Sequence, residues 1–216
     1  MHRTGKITLG YGSGGELYHK LVTKFFLPAF SNPYLDQLSD AALCPAGNSR
    51  IALTSDSFVV KPRFFPGGDI GRLAVCGTVN DLAMSGARPL YLTSALIIES
   101  GFPLLELELI VKSMAQAAAE AVVLIVGGDT KVVDQGACDG LFITTAGVGI
   151  YELDRELGPQ LALPGDQIIV SGEIADHGMA VIAARHQLDF NPPLTSDVAP
   201  LAGLAAAALA VPPALR

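Results

Sequence analysis

Charge is scarce in this chain. Charged residues make up 16% of its 216 residues, against roughly 25% in an average soluble domain. Half the residues are hydrophobic and the mean hydropathy is +0.43, which excludes intrinsic disorder, because this much apolar surface offsets the entropy of ordering. Basic residues are the scarcer sign: 14 Lys and Arg against 21 Asp and Glu leave a net charge of −7. With no basic patch interleaved with aromatics, a general nucleic-acid binder is excluded, since phosphate affinity needs clustered Lys and Arg. The three cysteines, Cys44, Cys76 and Cys138, show no CxxC spacing, so neither a paired-cysteine zinc site nor a disulfide framework is expected. A cytoplasmic location is the economical reading. A strongly apolar run of about 20 residues, as a membrane span requires, is also missing. The long uncharged run, residues 198–215, is mostly alanine and contains Pro200, Pro212 and Pro213. No membrane partner is expected, and the start of the chain has no signal-peptide core.

What is present is an alternation of helical and strand patterns. Gly10, Gly12, Ser13, Gly14 and Gly15 form a glycine loop ahead of a helix carrying Leu17, Leu21, Val22, Phe25 and Phe26 on one side. Pro28 and Pro33 are expected to end it. Residues 50–56 and 58–60 read as two strands. Asp69 is placed to cap a helix through Ile70, Val75, Val79 and Leu82. Residues 89–99 read as a buried strand, 104–121 as a helix with Leu105, Leu109, Met114 and Ala118 apolar, 122–126 as a short strand and 141–151 as another. Residues 154–165 look like a linker. A further strand at 166–172 and helices at 176–187 and 198–209 complete a mixed α and β chain.

The chemistry-bearing residues are aspartates at the ends of apolar segments or beside glycine turns: Asp40, Asp56, Asp81 and Asp129. Any two at ~4.5 Å would repel by about 3–4 kcal/mol at an effective dielectric of 20. Such a cluster calls for a cation, and oxygen ligands select a hard one such as Mg²⁺. The alternative is that they are ordinary cap and turn aspartates. Asp81 is the least ordinary, because it falls within an apolar helical period and needs a partner or a metal there. The loop Gly12-Ser13-Gly14-Gly15 is either a phosphate cradle or a flexible turn; it is not a P-loop, having no following GK[ST]. Lys131 is a candidate phosphate cation or an exposed strand lysine. His177 caps a helix or acts, while Cys76 belongs to packing and Phe64-Phe65-Pro66 to a core anchor. No GxSxG or HExxH occurs.

Together these segments resemble one family. Gly12 to Gly15, Thr54 to Ser57, Phe64 to Gly71, Cys76 to Met84, Gly86 to Pro89, Gly128 to Val133, Asp176 to Gly178 and Ser196 to Leu201 are similar, in unbroken order, to the HypE family of hydrogenase maturation proteins. That family sits in the PurM-like superfamily with aminoimidazole ribonucleotide and selenophosphate synthetases. The selenophosphate enzymes want a reactive Cys or selenocysteine ahead of the glycine loop, and none precedes Gly12 here.

The resemblance implies an α+β fold: a PurM-like domain over residues 1–153 whose mixed, partly antiparallel sheet joins that of a second copy in a barrel-like homodimer. A linker at 154–165 and the start of a second α/β domain at 166–216 follow. It implies Mg²⁺ on Asp40, Asp56, Asp81 and Asp129, and ATP contacts from Gly12, Ser13, Gly14, Gly15, Asn80, Gly128 and Thr130. Lys131 and Asp81 take catalytic roles. Family members use ATP to dehydrate a carbamoyl group on a C-terminal cysteine to thiocyanate. The group arrives from the carbamoyltransferase HypF, and the cyanide is handed to a HypC–HypD scaffold for [NiFe]-hydrogenase. Two departures stand out. Gly128 falls where the family has Thr, and no cysteine follows Cys138. The expectation is therefore a truncated chain that binds Mg-ATP and pairs without turnover of its own.

Overall fold

The computed structural model describes residues 6–12 and 14–211. Ser13, Pro212 and Pro213 lie outside the described residues, so the expectations for them are not addressed by it.

Helix α1 (Glu16–Leu21) runs through a π turn at Val22–Phe26 into α2 (Leu27–Phe30). The break expected at Pro28 therefore falls later, at Ser31. Pro28 sits in the first turn of α2, where a missing N–H costs little. No residue of this helical run is buried. Strand β1 (Ala42–Ala46) then pairs antiparallel with β2 (Ser49–Phe58). The two strands expected at 50–56 and 58–60 are one, and Val59 and Val60 lie beyond it.

Two-residue strands β3 (Phe64–Phe65) and β4 (Gly68–Asp69) make a tight hairpin leading into α3 (Ile70–Met84). Asp69 caps α3 as expected, accepting from the N–H groups of Gly71 and Arg72. Strand β5 (Arg88–Glu99), helix α4 (Leu104–Glu120), strand β6 (Leu124–Val133) and strand β7 (Leu141–Tyr151) follow. The sheet order is β1-β2-β7-β5-β6, with β5 and β6 parallel and the other neighbours antiparallel. Strand β6 runs on through Gly127 and Gly128 to Val133, well past the expected end, because its ladder with β5 continues there after a register shift. Helices α5 (Asp176–His186) and α6 (Ala202–Leu209) complete the elements.

Strand β7 alternates strictly, and its buried Leu141, Ile143 and Thr145 face α3. The main core is built from Ile70, Val75, Val79, Leu92, Ile110 and Met114, so α3 and α4 cover one sheet face. Helix α4 buries Ile110, Met114, Ala117 and Ala118, whereas Leu105 and Leu109, apolar in the helical pattern, are exposed. The other sheet face is left open. Leu53, Tyr91 and Ile97 stand there, each about 40% exposed, in register with Val148 and Phe142 of β7.

The strand expected at 166–172 does not form. No described strand lies beside it to take its backbone N–H and C=O groups, and a lone strand gains nothing over water. The helix expected from residue 198 begins at Ala202, since residues 198–201 are held against α3 by side chains described below.

Candidate functional site

Alternation along β2 decides which polar side chains meet α3. Thr54, Asp56 and Phe58 share the face that packs on the helix, while Leu53, Ser55 and Ser57 point away. Phe58 is core, and the carboxylate of Asp56 comes against α3 where the helix has no side chain. A Cβ on Gly77 would lie 3.8 Å from Asp56 Oδ2 and 2.8 Å from the Phe58 ring. One turn on, Asp81 projects from the same side of α3, and Thr54 Oγ1 donates to its Oδ2 at 3.1 Å. Thr54 was not a candidate from sequence; its signal is the two-residue spacing to Asp56, which places both on one strand face.

Asp40, exposed just before β1, completes the group. Burial first, and then the charges of Asp40 and Asp56, push the Asp81 carboxyl up to about 6, against the downward pull of the Thr54 hydrogen bond. Asp81 is half-buried three residues from the C-terminal end of α3, where the helix dipole adds further negative potential. Among the described residues none of the three aspartates has an ion-pair partner. Oxygen-donor carboxylates whose charges raise the proton affinity of Asp81 are of the type a hard divalent cation takes. Among the described residues, however, no three acidic, His or Cys side chains stand close enough to hold a metal ion.

The fourth expected ligand is elsewhere. Asp56 of β2 is in register with Thr145 of β7, Thr145 with Ser94 of β5, and Ser94 with Gly128 of β6. Three strand spacings separate Asp56 from Gly128, on the order of 14 Å. Asp129 follows Gly128 and so points to the opposite, open face, in line with Ala95, Thr144 and Ser57. Lys131 shares that face and pairs with Asp129 at 2.5 Å. The Lys131 hydrogen bond, helped by that of the Thr130 N–H, holds the Asp129 carboxyl below the usual carboxylate range. Of the four aspartates expected to share one cation, Asp129 thus stands apart from the other three, and Asp81 and Lys131, expected to be catalytic, are divided between the two sheet faces.

Gly128 itself has no room for a side chain, because a Cβ would lie 1.9 Å from the Ser94 carbonyl oxygen. The Thr expected there would not fit; at Gly127 the nearest atom, on Thr93, is 3.9 Å away. The glycine loop is open: a Cβ on Gly12, Gly14 or Gly15 would meet nothing within 4 Å, and Gly14 has φ +73°. Asn80, expected at the nucleotide, has another partner. Its Nδ2 donates to the Ala199 carbonyl at 3.0 Å, and its Oδ1 accepts from the Leu201 N–H at 2.7 Å. His177 neither caps nor stands free; Nδ1 meets Ser196 Oγ at 3.0 Å and its ring packs edge-on to Phe65. Cys76 is buried, and burial pushes its thiol up to about 11. It is packing, as expected.

The family model for AIR synthase related protein, N-terminal domain, matches residues 38–151, a span that takes in Asp40 and runs to the end of β7. The chain belongs to the AIR synthase-related family. Its α+β, PurM-like fold is the one the sequence motifs imply. The carbamoyl dehydratase HypE of Azotobacter vinelandii is 48% identical over 214 residues, 99% of this chain and 63% of that protein. A HypE–HypF complex structure matches with TM-score 0.82 and 54% identity, over 88% of this chain and 61% of the solved one. HypE in complex with ATP matches with TM-score 0.73 and 46% identity, over 96% of this chain and 61% of the solved one. This AIR synthase-related chain spans about three-fifths of the length of the proteins it matches. No described helix is long and apolar enough to cross a membrane.

Proposed function

We propose that this chain is the ATP-site part of a HypE-type carbamoyl dehydratase, acting in [NiFe]-hydrogenase maturation with HypF and a HypC–HypD scaffold as partners, in the cytoplasm. The observation that carries the reading is the Asp81 carboxyl on the helix-covered face with the charges of Asp40 and Asp56 acting on it, and with no Lys or Arg paired to the three among the described residues. Mg²⁺ bound there would offset most of the trio's charge and screen the phosphate charge that a −7 protein otherwise repels. The glycine loop and Thr130 would hold phosphate oxygens, and Lys131 would carry positive charge to the transferring phosphoryl group.

In the full reaction the carbamoyl oxygen attacks the γ-phosphorus of ATP and ADP leaves. The C–O bond then breaks, phosphate departs with that oxygen, two N–H protons are lost, and a thiocyanate remains. The second reading is a Mg-nucleotide-binding, dimerising module without turnover, and a dehydration assay on the 216 residues separates the two by the presence or absence of thiocyanate.

The open sheet face supports a homodimer. Exposed Leu53, Tyr91 and Ile97 stand there with Asp129 and Lys131, and a second copy covering that face would bury the apolar side chains. The trio, on the helix-covered face, then stays within one chain. The test is Mg-ATP binding by chains carrying Asp56→Ala, Asp129→Ala, or both variants co-expressed. Asp56→Ala should lose binding, and co-expression with Asp129→Ala should give no more than the two chains bind separately. Binding restored on mixing refutes a trio that acts within one chain.

A further inference from the structure

Residues 196–201 cross α3 as a strap, held at points spread along the helix. The Ser196 N–H donates to the Pro66 carbonyl at 2.8 Å, Arg72 Nε donates to the Val198 carbonyl at 3.1 Å, and Asn80 grips Ala199 and Leu201 from both sides of its amide. Close packing reinforces the polar contacts. A Cβ on Gly67 would lie 2.5 Å from the Ser196 carbonyl oxygen, and one on Gly68 would lie 2.7 Å from Val198 Cγ1. Val198 and Ala202 also pack against the main core. The strap is thus built into the fold, although it lies 45 residues beyond the last strand, β7, which ends at Tyr151.

The grip at Asn80 falls on the residue next to Asp81. Adjacent helix positions are about 100° apart, so this one turn of α3 carries the strap on one side and the acidic trio on another. The turn is near the end of the helix, which stops at Met84, and terminal turns are the least constrained by the helix ladder. We infer that Asn80 is a positioning residue: by clamping residues 199–201 to α3 it fixes the turn that carries Asp81, and so couples docking of the strap to divalent-cation affinity at Asp40, Asp56 and Asp81. The coupling rests on the trio binding a cation, as proposed above. Asn80 acts through the backbone and does not touch the cation.

The experiment is Mn²⁺ binding to the 216-residue chain, read by electron paramagnetic resonance with Mg²⁺ as competitor. Amide hydrogen exchange at Val198 and Leu201 is followed in parallel. Asn80→Ala should speed exchange at both amides and weaken Mn²⁺ binding about five- to tenfold. Asn80→Ser keeps an acceptor for the Leu201 N–H and should fall between Ala and wild type, which also serves if the alanine variant does not fold. Gly68→Ala pushes on the strap at Val198, the residue before the Ala199 carbonyl that Asn80 holds. It should weaken Mn²⁺ binding in the same direction while leaving the Asn80 side chain intact. Faster exchange with unchanged Mn²⁺ affinity, in either variant, overturns the coupling. A wild-type chain that binds no Mn²⁺ overturns the cation reading of the trio, and the coupling with it.

Discussion

Thr54 on β2 and Asp81 on α3 are joined by a 3.1 Å hydrogen bond that crosses from sheet to helix. It links the strand and helix halves of the acidic trio directly, and it pulls the Asp81 proton affinity down while burial and the neighbouring carboxylates push it up.

The net upward shift has a defined consequence for stability. The Asp81 carboxyl titrates near 3.8 when unfolded and at about 6 in the fold, so the folded chain binds the extra proton between those values. The Asp81 contribution to stability is greatest below the lower value, declines as pH rises through the window, and levels off above about 6. Asp81→Asn should flatten this slope and leave the metal-free protein more stable at pH 7 than wild type. Thermal melts from pH 4 to 7.5 are the measurement; a variant that keeps the wild-type slope contradicts the assignment. Added Mg²⁺ should raise the melting temperature of wild type but not of the variant.

Beneath the trio, Thr145 Oγ1 donates to the Ala74 carbonyl at 2.9 Å and meets Thr78 Oγ1, all of it buried between β7 and α3. Thr145→Val keeps the shape and strands the Thr78 hydroxyl, so urea unfolding should show a loss of roughly 1–3 kcal/mol. Replacing both threonines with valine should recover part of it, because the unsatisfied group is then gone. Equal losses in single and double variants would contradict the hydrogen-bonded pair.

Local signals were the legible ones. Asp69 ahead of an apolar period announces α3, and a carboxylate within that period marks Asp81 as a group needing a partner. Pro28 misled, since a helix tolerates proline in the first turn of a new segment. Long-range geometry left no trace in the residues. The face on which Asp129 emerges depends on a register shift beside Leu92 and Thr93, and a one-residue slip exchanges the faces of a strand. Likewise Asn80 reads as a nucleotide ligand until Ala199, 119 positions later, is seen against it. Glycines in motifs were equally ambiguous: Gly67 and Gly68 serve the approach of Ser196 and Val198, which only the folded chain reveals.

The adjacent glycines of β6 should behave oppositely. Alanine at 128 would force its Cβ to 1.9 Å from the Ser94 carbonyl oxygen, so the β5–β6 ladder must move apart. Gly128→Ala should cost about 2–4 kcal/mol, whereas Gly127→Ala meets nothing nearer than 3.9 Å and should be neutral or slightly stabilising. Comparable melting temperatures for the two variants would show that the ladder is not as close as described.

Proteolysis should cut the chain first between the sheet and the strap. Ile168, Ile169, Val170 and Ile174 are 93%, 77%, 55% and 81% exposed, and residues 166–174 pair with no described strand. Apolar, exposed and outside the sheet, residues 168–170 present a thermolysin-type protease with the side chains it prefers, at little local unfolding cost. Residues 196–209 differ, because the strap is anchored by Pro66, Arg72 and Asn80. A brief digest should therefore release no mass from the folded particle: the C-terminal fragment should stay bound through gel filtration at neutral pH and come away in urea. A fragment that dissociates as soon as residues 166–174 are cut would mean that the strap holds its position only through covalent continuity, and that the contacts along α3 contribute little.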